Sequence, residues 1–190
     1  MRPMRRLALL YAKLRYRDVP EPMSRWSEHG GVFWAWAVEE TLVEATWRVL
    51  PRNLRYLAVL GAASSIDCPW CLDFGSHLAG RAGLDEVKLR ELHRWRTSEV
   101  FDDDERLVLA YADQVCATPV SVDDALVQQL RQRLGERGLV ELTALIALEN
   151  QRSRFNAAMG VLPQGWSRVC ALPASAADPQ LRAPGAAAPA

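Results

Sequence analysis

The chain has 190 residues, the size of one domain, and 49% of them are hydrophobic, enough to supply a core. Its 23 Lys and Arg balance 23 Asp and Glu, and a net charge of zero excludes a grip on nucleic acid driven by basic excess. No run reaches the ~20 apolar residues of a membrane span, and Lys13 interrupts the apolar run Leu7 to Ala12 with no cleavage site after it, so no secretory signal is read.

Residues 1–20 read as an N-terminal arm, basic through Arg2, Arg5, Arg6, Lys13, Arg15 and Arg17. A solvated helix face is a simpler account of these charges than a polyanion or membrane site. Helical periodicity dominates the rest, and no segment alternates as a strand does. Val32 to Leu50 is a Trp-rich helix, bounded by Gly30-Gly31 and ended by Pro51. Asn53 to Ala63 is a second, with Leu54, Leu57, Ala58 and Gly61 on one stripe. Ser64-Ser65-Ile66-Asp67 reads as a capping cluster ahead of Cys68-Pro69-Trp70-Cys71, and Leu72 to Arg81 carries the helix on to Gly83. Leu84 to Trp95 is short and amphipathic. Asp102-Asp103-Asp104 opens Glu105 to Cys116, where the helix dipole favours negative charge. Ser121 is the expected cap of Val122 to Leu134, Gly135 to Gly138 the turn, and Gly138 to Met159 the last long helix. From Ala171 the composition narrows to Ala and Pro, the pattern of a disordered tail. The packed domain is expected over residues 21–170, in the all-α class.

Cys68 and Cys71 carry the sharpest chemical meaning. Two cysteines at i and i+3 on the first turn of a helix can close a small disulfide. The free N–H groups and positive dipole end there favour a thiolate, and Cys71, nearer the helix interior, is expected to draw more help from them. Pro69 suits a first turn, and Asp67 opposes a second negative charge nearby. In a cytoplasmic chain, the compartment expected here, such a pair reads as a redox dithiol, as inert structural cysteines, or as metal ligands joined by His77 and His93. The metal reading is poor. At about 100° per residue, six positions leave His77 about 120° from Cys71, and zinc needs four converging ligands. No metal or cofactor is expected. Cys116 reads as a small core residue and Cys170 as a thiol near the tail.

A helix, a C-x-x-C opening another helix, and then Gly83-Leu84-Asp85-Glu86 at the next helix start resemble the carboxymuconolactone decarboxylase-like superfamily, on its alkylhydroperoxidase (AhpD)-like branch. Glu149-Asn150-Gln151-Arg152-Ser153-Arg154-Phe155-Asn156 is similar to the later half of those members. The resemblance implies an all-α fold assembled as a trimer or a multiple of it. It implies reduction of a hydroperoxide or disulfide by the cysteine pair, which an external dithiol then resets. It also implies a proton relay from a Glu twelve residues before the first cysteine and a His four residues after the second. Those positions hold Tyr56 and Gly75, so both relay residues are replaced. A tyrosine, ionising near pH 10, is a poor base at neutrality. Asp73 lies about 200° around the helix from Cys71. Activation then rests on the helix terminus or on a group of the last long helix, Glu149 or Arg154; the alternative for those two is an internal ion pair. Trp70 either shields the disulfide or offers a surface to a reductant. Of Trp34 and Trp36, two apart on one helix, one is expected in the core and the other at an interface or pocket. Two readings of function stand beside the peroxidase: an oligomeric redox sensor or scaffold that closes its disulfide without turnover, and a muconolactone-type lyase, which the missing His disfavours.

Overall fold

The computed structural model describes residues 2–167, and within them every regular element is helical. In chain order the helices are α1 (Arg2–Tyr16), α2 (Glu21–Trp26), α3 (Gly30–Thr46), α4 (Arg52–Ser65), α5 (Pro69–Arg81), α6 (Glu86–Glu91) with a 3-10 turn at Leu92–Arg94, α7 (Asp103–Cys116) and α8 (Asp124–Ala158). The all-α expectation holds. Cys170 and the Ala/Pro-rich stretch from residue 171 lie outside the described residues.

Helix α4 is the hub, packed against α5, α7 and α8. Its stripe Leu57, Ala58, Leu60, Ala62 and Ala63 is closed off from solvent and meets Val108, Leu109 and Ala112 of α7 and Leu142 and Ile146 of α8 in one core cluster. Each fully buried leucine here contributes roughly 2–3 kcal/mol by leaving water. Small residues let α4 and α7 approach closely: a Cβ on Gly61 would lie 2.9 Å from Leu109 Cδ2 and 3.2 Å from the Ala112 methyl.

The helix ends follow from local chemistry. Asp102 accepts from the Glu105 N–H at 2.9 Å while the Glu105 carboxylate accepts from the Asp102 N–H at 3.1 Å, a reciprocal capping box. His29 Nδ1 accepts from the Val32 N–H, so α3 begins at the glycine pair that the sequence places before it. That helix stops at Thr46 rather than Leu50, and Pro51 serves as the N-cap of α4. Asp123, not Ser121, caps α8, accepting from the Ala125 and Leu126 N–H groups. The expected turn after Leu134 reduces to Gly135, whose φ of 69° breaks α8 into two helical runs at a conformation that suits glycine.

Helix α1 is amphipathic: Ala12 is buried, while Leu7, Leu10, Tyr11 and Leu14 stay exposed. No helix among the described residues is long and apolar enough to cross a membrane.

Gly61→Val should force α4 and α7 apart. We expect a loss of about 1–3 kcal/mol of unfolding free energy in a denaturant titration, the usual cost of overpacking, with α-helical content retained.

Candidate functional site

A left-handed residue turns the chain into the site. Asp67 (φ 60°) follows α4, and α5 then starts at Pro69, whose missing N–H costs nothing in a first turn. The N-cap of α5 is Cys68 itself, not the Ser64–Asp67 cluster: Cys68 Sγ accepts from the Cys71 N–H at 3.3 Å. Help from the helix terminus thus falls on Cys68 rather than on Cys71. The two sulfurs are bonded, with Cα atoms 5.3 Å apart. Both residues are sealed, at 2% and 5% exposure.

What faces the pair comes from α8. Ser153 Oγ lies 3.4 Å from Cys71 Sγ and 3.1 Å from Glu149 Oε1. Asn156 Nδ2 donates to Cys71 Sγ at 3.3 Å and reaches Cys68 Sγ at 4.0 Å. Glu149, Ser153 and Asn156 fall at i, i+4 and i+7, one face of a helix. Arg152 ties Glu149 (3.3 Å) to Glu40 of α3 (Nε to Oε1, 2.7 Å).

Among the described residues four carboxylates are buried, and three are held by the fold. Asp73 accepts the backbone N–H groups of Gln164, Gly165 and Ser167. Glu105 takes Lys88, Asn53 and its own cap, and Glu141 takes the N–H groups of Val49 and Leu50. Glu149 differs. Burial pushes its carboxyl up to about 7, although Arg152 and Ser153 pull the other way. Burial also works against the Arg152 charge, but Glu40 and then Glu149 outweigh it and keep the guanidinium protonated.

The other residues singled out in the sequence lie elsewhere. Tyr56 is half-buried against the core. Trp70 is buried, stacked on Phe74 at 4.9 Å, and its indole N–H donates to Gln164 Oε1 at 2.9 Å. The same Gln164 side chain accepts from the Glu21 N–H and donates to the Val19 carbonyl, so one amide ties the 19–21 segment and its own segment to α5. His77 leans on the Trp166 ring, and His93 bonds to the Arg90 carbonyl. Among the described residues no group of three or more His, Cys, Asp or Glu could hold a metal ion. Arg154 meets Thr118, while the ion-pair partner of Glu149 is Arg152. Cys116 is buried and takes a hydrogen bond from Asn150, and burial raises its thiol pKa. Trp36 packs on Trp26 and Phe155, Trp34 on Phe33; both tryptophans are half-buried, and Phe33 is the core residue of that turn.

Gly75 occupies the position where the resembled family carries a His. A Cβ there would meet Leu60 Cδ2 at 3.0 Å, so α4 leaves little room for an imidazole. Ser153, Asn156, Arg152 and Glu40 were not legible as site residues. The available signal was the buried stripe of α8, which turns from Leu142, Leu145 and Ile146 to Glu149, Ser153 and Asn156 along one face.

The sequence pattern of the carboxymuconolactone decarboxylase family matches residues 34–114. The uncharacterized protein YnjA of Escherichia coli (strain K12) is 36% identical over 155 residues, 81% of this chain and 85% of its own length. Among solved structures, the debrominase Bmp8 is similar at a TM-score of 0.76 with 21% identity, over 86% of this chain and 88% of that one. A protein of unknown function from Agrobacterium tumefaciens, proposed there as the antioxidant-defence protein AhpD, is similar at 0.61 with 22% identity, over 69% and 89%. At these identities the two structures speak for a shared fold.

Glu149 also makes stability depend on pH. The folded chain keeps a proton there that the unfolded chain, with an ordinary value of 4.5, releases. Stability therefore falls as pH rises from about 4.5 to about 7, by roughly 3 kcal/mol in all. Denaturant titrations at the two ends of that window should show this loss in the native chain and a markedly smaller one in Glu149→Gln.

Proposed function

The chain belongs to the carboxymuconolactone decarboxylase family, and on that footing we propose that it is an AhpD-like thiol-dependent oxidoreductase that reduces hydroperoxides with Cys68 and Cys71. The observation that carries this reading is the line from Cys71 Sγ through Ser153 to a carboxyl pushed up to about 7. A base of that strength is matched to neutral pH. It stands in for the family relay, whose positions are Tyr56 and Gly75 here.

In the reduced pair, the Cys71 thiol passes its proton through the Ser153 hydroxyl to the Glu149 carboxylate. The thiolate attacks the terminal oxygen of the hydroperoxide. The O–O bond breaks, sulfur is oxidised to a sulfenic acid, and the departing alkoxide takes the proton back from Glu149 to leave as an alcohol. Cys68 then attacks the Cys71 sulfur. Its thiol proton leaves with the hydroxyl as water, and the disulfide closes. An external dithiol reduces it and is itself oxidised to a disulfide. Cys68, with the Cys71 N–H on its sulfur, is the better leaving group in that exchange. The proposal includes a reducing cytoplasmic setting and a homo-oligomer.

A second reading has an observation of its own. Both sulfurs are sealed, which favours a redox sensor whose disulfide turns over slowly.

Purified protein supplied with a small alkyl hydroperoxide and a dithiol should consume both in equal amounts. Cys71→Ser should abolish the reaction. Without the dithiol, Cys68→Ser should consume one equivalent and stop at the sulfenic acid. No consumption by the native chain, with a disulfide that still forms, would replace the peroxidase with the sensor.

The rate should rise with pH through about 7, because Glu149 must be ionised to take the proton. Glu149→Gln should flatten that limb and lower kcat/KM roughly 10²- to 10⁴-fold, the usual worth of a general base. An unchanged pH profile in this variant would remove Glu149 from the relay.

A further inference from the structure

The carboxamide of Asn156 is only half used. Its nitrogen donates to Cys71 Sγ at 3.3 Å, while its oxygen, on the same carbon, is buried and has no hydrogen-bond partner. The residue is 2% exposed. It continues the face of α8 on which Leu142, Leu145 and Ile146 build the core, where an apolar side chain would pack without leaving an acceptor bare. A buried acceptor without a donor is a net cost to the fold, so the fold alone gives no reason for an amide here. A ligand bearing a donor hydrogen, arriving at Cys71, does.

We propose that Asn156 Oδ1 accepts the O–H of the substrate hydroperoxide and so holds its terminal oxygen against Cys71 Sγ. This rests on the peroxidase reading and names its substrate class: peroxides with a hydrogen on the oxygen under attack. The hydrogen bond to Oδ1 turns that oxygen toward the sulfur and the O–O bond away from it, which is the in-line arrangement displacement requires. In the step, the S–O bond forms as the O–O bond breaks. The hydrogen held by Asn156 stays on the transferred oxygen and becomes the sulfenic acid hydrogen, still bonded to Oδ1. The alkoxide takes its proton from Glu149. The Asn156 N–H, already on the sulfur, bears on any reaction of Cys71; the oxygen bears only on a partner that brings a donor hydrogen. Disulfides bring none to the sulfur under attack.

That asymmetry provides the test. The reduced native chain and Asn156→Ala are each mixed with tert-butyl hydroperoxide and, separately, with a small aromatic disulfide, and both second-order rates are measured. Loss of the N–H donor lowers both rates together. Loss of the oxygen lowers only the first, so the ratio of hydroperoxide to disulfide rate should fall at least about tenfold. Asn156→Leu, with the same branching and heavy-atom count and no polar atom, should give the same ratio and serves if the alanine variant does not fold. An unchanged ratio in a folded variant, with the native chain active on hydroperoxide, overturns the role of Asn156 and leaves the peroxidase standing. A native chain inert to hydroperoxide but competent in disulfide exchange overturns both.

Discussion

The first turn of α5 meets the Glu149–Ser153–Asn156 stripe of α8, and that contact sets the terms for the site. Two sulfurs are withdrawn from water and given only what two helices offer: the backbone N–H of Cys71, a hydroxyl and an amide. Removing solvent makes each of those groups count for more, because little else competes for the sulfur. It also explains the state of Glu149, which lies behind Ser153 in the same dry layer and binds its proton more tightly than an exposed carboxylate does. The apolar part of the same stripe, one to two turns earlier, anchors α8 on α4 and so fixes the register in which the polar part meets the cysteines.

Packing bears on where the proposed relay comes from. At Gly75 the Leu60 side chain occupies the space a larger residue would need, and Leu60 is itself in the centre of the core. From α8, Ser153 and Glu149 reach toward Cys71 instead. Arg152 balances the charge that Glu149 gains on ionising, while Glu40 of α3, sharing the same guanidinium, holds Arg152 in place and itself opposes that charge.

Much of this was legible in the sequence where the signal is local. The C-x-x-C at a helix start, the acidic start of α7 and the hydrophobic stripe of α4 all depend on residues a few positions apart, and all formed as their spacing implies. The sequence points to the wrong cap for α5, because Ser64 and Asp67 are common capping residues and a sulfur is not. Arg154 was paired with Glu149 although five positions put it well around the helix; Arg152, three positions on, shares its face. Ser153 and Asn156 needed knowledge of which face of α8 turns inward. A serine and an asparagine are as common on a wet surface as beside a buried sulfur, and only the packing of distant segments tells the two apart.

The roof over α5 has a bearing on timing. Gln164 bridges the indole of Trp70, the start of α2 and the end of the α1–α2 link, and Asp73 fastens three N–H groups of the one stretch 164–167 beside it. On the thiol-exchange reading proposed above, a thiol from outside must wait for the pair to be uncovered, because neither sulfur is open to collision. On that reading the oxidised form is kinetically insulated from its surroundings. How long it persists is governed by a conformational clock, and the ambient thiol potential decides only where the pair eventually settles.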